Sequence, residues 1–547
     1  MALPSNPFSP MLDHPRNAIA TALALALAAT VSAQANTIPG LDGSLTNNAS
    51  PTFFGRRGAV HPNGEIGMSY SYTMCNPGSV PIQWVAPMNA NHPMFAMMVV
   101  REANGRFEQI TDNATTFVKH AFSAANTPST CGGTCQTTGT GLRVNCTDTY
   151  GASTNANRHY LAPSNEINPW TGVWAPVGSY FDRGEPDVGP PLNMDGVRTL
   201  SGTAPAFTAD LVKNRVTLKE QDLLAVNRKF FCCHIVVAGE DGDLHFNNLG
   251  HREFTSTWTG TTWTFANPVV FQSGSVLSKW VGATLTNARN GDDDGHFFVA
   301  VKVTPLGGGQ YHYEYAVQNF DNVRGAATLR IPVCPTTPVT NVSFRDPNGN
   351  LLDDWTTSRV GAELVFTAPA NNPLDWNNIY NFGFDCDVAP IAGNVVLDQA
   401  RVGPGALSVA VSTQVPGGLA SVTNLGPGCG SPAPVLASNG LPVIPSAGFA
   451  FTVNGSPLAP VVLYAALGAS NTQVAPGCFQ YVDNTFVTHG AYVSDGAGLV
   501  SAPVPIPNVL ALEGTVIAWQ SVEVVLGGPL LGFLALSNGV EILIACR

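Results

Sequence analysis

His296–Pro305 reads HFFVAVKVTP and Tyr311–Asn319 reads YHYEYAVQN. Successive side chains of an extended chain point to opposite faces, so Phe297, Val299, Val301 and Val303 share one face of the first stretch. Tyr311, Tyr313, Tyr315 and Val317 share one face of the second. Between them Gly307–Gly309 supplies a hairpin loop. Tyr380, Phe382, Phe384 and Cys386 repeat the period of two further on. The spacing predicts half-buried antiparallel strands packed face to face.

Outward from this centre, residues 290–401 are expected to form an immunoglobulin-like β-sandwich. A Gly/Pro hinge at Val402–Ala406 leads into 402–547, where Phe449, Phe451 and Val453 alternate. Asn538-Gly539, flanked by Gly532–Ser537 and Val540–Ala545, predicts a hairpin in a second, C-terminal β-sandwich. Residues 36–289 are less regular and read as a β-rich N-terminal domain. Strand-like runs occur at Phe95–Val100 and Phe231–Ala238, and a pair around Thr255–Phe265 turns at Gly260. Thr217-Leu-Lys-Glu220 is a capping box opening a helix over Gln221–Asn227. The Pro/Gly-rich stretch Arg183–Met194 either separates two subdomains or forms a long surface loop.

Only 11% of the 547 residues are charged, against roughly 25% in ordinary soluble domains. With a net charge of -12 the chain lacks the basic field that phosphate backbones require, which excludes a nucleic-acid partner. The 55 Gly and 42 Pro favour short strands joined by turns over helical bundles. Ala18–Ala33, AIATALALALAATVSA, follows Arg16 and ends in small residues, so residues 1–35 are expected to be a signal peptide. No other run is long and apolar enough for a transmembrane segment, and an exported, extracellular or surface location follows.

Export sets the reading of the 11 cysteines. Cys131, Cys135 and Cys146, with Cys75 upstream, are expected to be disulfide partners. Adjacent Cys232 and Cys233 should face opposite sides of a strand, and so bond to different partners or stay free. Among Cys429, Cys478 and Cys546 one pair could clamp the C-terminal strand, and the odd total leaves at least one thiol over.

Four stretches stand close together: VVREANGRFEQITDNATTFVKHAFSA from Val99, CGGTC at Cys131–Cys135, GLRVNCTDTYGASTNANRHYL from Gly141 and APSNEINPWTGVW from Ala162. The combination resembles a segment of secreted, uncharacterised proteins of environmental bacteria, including planctomycetes. The resemblance implies export and a multi-domain β-rich chain, and no activity.

The same stretch holds the candidate chemistry. His120 as general base, Tyr150 or Lys119 as proton donor and Asp148 as orienting carboxylate would form a catalytic set. The plainer alternative has Asp148, Asn155 and Asn157 capping turns. Trp170, Trp174 and Tyr180, with Asn168, suit a sugar site, because a flat ring packs on a pyranose while an amide takes its hydroxyls. Glu166, Asp182 and Glu185 flank these aromatics and could serve a glycosidase. Glu240, Asp241 and Asp243, with Asn247, form an oxygen-rich loop that admits Ca2+, as do Asp346, Asn348, Asn350 and Asp353. Asn348-Gly349 reads more simply as a hairpin turn, and Asp292–Asp294 as a solvated loop. His234, His245 and His251 match no metal spacing. No nucleophile elbow, P-loop or dinucleotide fingerprint is present.

Two functions fit: a non-catalytic protein binding an extracellular polysaccharide or cell-surface component, and a secreted polysaccharide hydrolase or lyase using His120, Asp148 and Tyr150. The first is the expectation.

Overall fold

The computed structural model describes residues 37–547 except 85–87, 112–116, 120–123, 129–130, 158–160, 184–193, 199–208, 225, 292–294, 336, 404, 510–511 and 547. The expected leader, and the loop Asp292–Asp294, lie outside the described residues. Strands make up 51% of the described residues and helix 6%, so the fold is mainly β.

Four sheets stack in sequence. The first contains Ser44–Gly58, Gly64–Cys75, Cys146–Tyr150 and Val216–Lys219. The second centres on Leu249–Trp258, Lys229–Val236 and Met94–Ala103. The third runs Thr284–Arg289, His296–Gly307, Gln310–Asn319, Asn378–Cys386, Val339–Arg345. The fourth runs Thr356–Val360, Glu363–Thr367, Ala326–Pro332, Pro390–Gln399, Ser408–Pro416.

Alternation along the strands assigns the layers. Met97, Val99, Phe231, Cys233 and Ile235 pack with Ile66, Met68 and Tyr70 of the first sheet. Their neighbours Met98, Val100, Phe230 and Cys232 pack with Phe298, Ala300, Ala316 and Ile379 of the third. On the far side of the third sheet, Phe297, Val299, Val301, Tyr313, Tyr315 and Val317 meet Leu329, Ile331, Val395 and Leu397 of the fourth. The two middle sheets are therefore buried on both faces. The half-buried expectation fails for His296–Val301, which is buried throughout, because the N-terminal region covers the face expected to be wet.

The hairpin at Gly307–Gly309 forms, with Gly307 opposite Gln310, and so does the turn at Gly260, where Trp258 opposes Trp263. Strand pairing crosses both expected domain boundaries: Arg289 pairs with His296, and Asp398 pairs with Ser408. The strands on either side of the Gly/Pro stretch are thus paired with each other inside the middle sandwich, rather than separated by a hinge between domains.

The C-terminal part is a separate sandwich. Ser421–Gly426, Gly539–Leu543, Val516–Val524, Pro460–Ala466 and Val487–Val493 face Val435–Ser438, Ala450–Asn454 and Leu499–Pro503 across a core that includes Phe451, Leu463, Trp519 and Ile542. Asn538-Gly539 is not a hairpin turn. Leu534–Leu536 and Gly539–Leu543 both pair with Val516–Val524, so the dipeptide interrupts one line of pairing. The Asn538 side chain is tied to both backbone groups of Leu436, and Gly539 lies against Tyr481 with no room for a Cβ. Asn348-Gly349 does not close a hairpin either, since the flanking strands Val339–Arg345 and Thr356–Val360 belong to different sheets.

Disulfides join Cys75–Cys131, Cys135–Cys146, Cys429–Cys478 and Cys334–Cys546. The N-terminal cysteine cluster pairs within itself as expected. Cys546 instead ties the chain end to the middle sandwich. Cys232 and Cys233 are free and occupy different cores, and Cys386 is also free.

Candidate functional site

Of the catalytic set expected from proximity, Asp148 and Tyr150 are both buried. Asp148 and Tyr150 lie two apart on one strand and share a hydrogen bond. Tyr150 packs among Tyr72, Trp84 and Phe95, and burial pushes its hydroxyl far above the ordinary tyrosine value. Asp148 is 5% exposed and accepts the Ala125 amide at 2.9 Å. Burial raises its carboxyl as well. His120 lies outside the described residues. The pair that is described is a core hydrogen bond, which accords with the plainer reading of Asp148.

Two of the expected sugar-binding aromatics are also core. Trp174 and Tyr180 pack with Met94, Val118, Val236 and Trp376. The Trp174 Nε1 donates to Asn89 O at 3.1 Å, and the Tyr180 hydroxyl accepts from Asn214 at 2.8 Å. Asn168 turns its Oδ1 to the backbone amides of Trp170 and Thr171 at 3.0 and 3.1 Å, holding a tight turn rather than facing a ligand. Glu166 accepts the Tyr180 amide at 2.8 Å and Asp182 the Gly178 amide at 2.7 Å, so these carboxylates fix loops. Glu185 lies outside the described residues.

Trp170, held by that turn, is buried as well, 8% exposed, but borders a polar space. It lines a cavity of about 320 Å3 together with Thr37, Glu240, Asp241, Asp243 and Arg289. The guanidinium of Arg289 lies 5.6 Å from the Trp170 ring centre and bonds the Asp243 carboxylate at 3.0 Å. Gly242 lies directly against the ring, where a Cβ would overlap the indole. The loop expected to hold calcium thus lies beside the tryptophan expected to hold a sugar, and the two form one polar pocket.

The three loop carboxylates do not gather as metal ligands: among the described residues they form no cluster within 4.8 Å. Each has its own partner. Asp241 caps the following turn by accepting from Asp243 N at 3.1 Å. Asp243 points out to Arg289. Glu240 turns inward, accepting the Gly43 amide at 2.5 Å and the Asn248 side chain. Burial raises Glu240 to about 7, against the opposing pull of His245. The carboxylates that do approach within 4.8 Å of one another are Asp346, Asp353 and Asp354, on the loop between the third and fourth sheets.

Beneath the pocket lies a group invisible in sequence spacing. His245 Nδ1 donates to Asp321 at 2.8 Å, and His296 Nδ1 stands 3.2 Å from the same carboxylate. Both imidazoles meet the Trp170 ring edge-on, at 5.0 and 5.6 Å between centres. Burial alone would raise Asp321, but the hydrogen bonds from His245 and His296 outweigh it and hold the carboxyl below the ordinary value. Burial likewise pulls His245 down, and the bond to Asp321 outweighs it, leaving the imidazole raised. Of the other two histidines singled out, burial drops His234 to about 3 and His251 to about 4. Both stay neutral and structural.

Asp321, His296 and Arg289 escaped the sequence reading. Asp321 follows YEYAVQNF directly, at a strand end where the Asn319 side chain bonds both backbone groups of Asn322. That local turn is the one signal that could have pointed to it.

No family model matches the sequence, and no curated protein matches it. Among solved structures, the chain is similar to Escherichia coli alpha-2-macroglobulin activated by porcine elastase, at 8% identity and a TM-score of 0.14. That match covers 93% of this chain and 35% of the macroglobulin, so the chain spans about a third of its length. It is similar to the major pilin subunit of Bacillus cereus at 10% identity and a TM-score of 0.16, covering 56% of this chain and 76% of the pilin. It is similar to a DUF4466 family protein from Parabacteroides merdae at 8% identity and a TM-score of 0.14, covering 45% of this chain and 98% of that protein. With TM-scores this low, none of the three bears on function.

Proposed function

We propose that this chain is an exported, non-catalytic β-sandwich protein that binds a hydroxyl-rich extracellular polymer, a polysaccharide, at the Trp170–Arg289 pocket. The observation that carries the reading is the pocket itself, in which Asp241, Asp243 and Arg289 stand around a tryptophan held rigidly from below. Carboxylates accept hydrogen bonds from sugar hydroxyls, a guanidinium donates to them, and an indole supplies the apolar wall. At about 320 Å3 the cavity lies near the lower end of the about 300–1,000 Å3 of ligand sites, enough for a short stretch of glycan. Four disulfides support an oxidising compartment, and no described helix is long and apolar enough to cross a membrane. The burial of Asp148 and Tyr150 weighs against the hydrolase reading.

Sedimentation of the full chain with insoluble polysaccharides and cell-wall fractions tests this. At least one polymer should retain it, and Asp243→Ala with Arg289→Ala should release it while leaving the melting temperature within a few degrees. No retention on any polymer would refute the proposal.

A further inference from the structure

The C-terminal sandwich carries a second cavity of different chemistry. Along Pro460–Ala466, Val461, Leu463 and Ala465 point into the sandwich core, which leaves Val462 and Tyr464 on the opposite face. Val522 and Ala518 lie on that outer face of Val516–Val524. Such a face needs a cover, and the hairpin Ala469–Ala475 with Cys478–Val482 supplies one, pinned by the Cys429–Cys478 disulfide. The cover does not close completely. A cavity of about 210 Å3 remains, walled by Val462, Tyr464, Val522, Leu530 and Leu536 on one side and by Val474 of the hairpin on the other.

An enclosed apolar cavity of about 150 Å3 takes up benzene, so this open-mouthed pocket of about 210 Å3 has room for a single substituted ring. Gln480 and Thr488, also in the wall, offer polar groups to one substituent. Phe486 stands at the mouth, 46% exposed, with its ring 5.1 Å from Tyr464. Charge narrows the class further. Among the residues that line the cavity none is Lys, Arg or His, so the wall offers no cation to a carboxylate or phosphate.

We propose that this cavity binds a small, uncharged, single-ring aromatic molecule bearing one hydrogen-bonding group. The site is independent of the polymer pocket. The test titrates the full chain with p-cresol, toluene and benzoate by ligand-observed NMR and thermal shift. p-Cresol and toluene should bind and raise the melting temperature, with benzoate about tenfold weaker or more. Val522→Phe fills the cavity from the sheet side and Val474→Trp from the hairpin side. Each should cost about tenfold or more in p-cresol affinity. Should Val522→Phe not fold, Val474→Trp, on the partly exposed hairpin, decides the matter. Failure of both neutral compounds to bind, benzoate binding as well as p-cresol, or unchanged affinity in a folded filled variant would each overturn the proposal.

Discussion

His245 and Asp321 are joined by a 2.8 Å hydrogen bond that crosses from the N-terminal sheets to the middle sandwich, and both side chains are almost fully buried. The bond lies at the seam where the second and third sheets share a core, directly under the Trp170 pocket. It makes the pocket floor a joint between two parts of the chain that are 76 residues apart in sequence.

Removing Asp321 leaves two buried imidazoles without their acceptor, whereas removing His245 still leaves Asp321 the ring and backbone amide of His296. Asp321→Asn should cost about 3–5 kcal/mol and His245→Gln less, with the double substitution costing less than the sum. The pH dependence has two sides. Asp321 is lowered from 3.8, so its contribution is present above that value and fades as pH falls through the folded-state value. His245 is raised from 6.5, so its contribution is full below 6.5 and fades as pH rises through its folded-state value. Urea midpoints at pH 5.5 and pH 9 should show the single variants closer to wild type at the higher pH.

Glu240 works in the same direction by another cause. Its folded-state value of about 7 stands above the ordinary 4.5, so stability is full below 4.5 and declines as pH rises through 7. Glu240→Gln removes that decline. The Asn248 Oδ1 has no partner, so the amide can turn to accept from the new side chain. At pH 8.5 the variant should be more stable than wild type by roughly 3 kcal/mol relative to their difference at pH 4, read from denaturation curves.

Gly242→Ala tests how the pocket wall is set. The added methyl would overlap the Trp170 ring, which is also confined by His245 and His296. A cost of about 1–3 kcal/mol is expected, with loss of polymer retention at temperatures where the variant remains folded.

The middle and C-terminal sandwiches share no apolar cluster among the described residues, while Cys334–Cys546 links them across 212 residues. Substituting both cysteines by Ser should let the C-terminal sandwich reorient and melt separately. Small-angle scattering should report a larger radius of gyration, and calorimetry should split one transition into two.

Much of this architecture is legible in sequence. The period of two in HFFVAVKV and YHYEYAVQ marks strands, and the cysteine cluster around Cys131 marks a local disulfide pair. The stacking of four sheets was less accessible, although FAMMVV and KFFCCHIV are continuous apolar runs without polar alternation, as two-sided burial requires. Asn538-Gly539 misled because tertiary contacts to Leu436 and Tyr481 override a local turn preference. At the site, Trp170 and Glu240–Asp243 stand out as residue types, but nothing local separates Trp170 from the core residues Trp174 and Tyr180. Asp321 belongs to the site only through pairing partners 25 and 76 residues away.

The central claim is that the Trp170–Arg289 pocket holds a glycan. Isothermal titration of the full chain with a soluble oligosaccharide from the best-retained polymer, beside Arg289→Ala, tests it most directly. One binding site with about tenfold or greater loss of affinity in the variant is the predicted result, and equal affinity in the two proteins would contradict it.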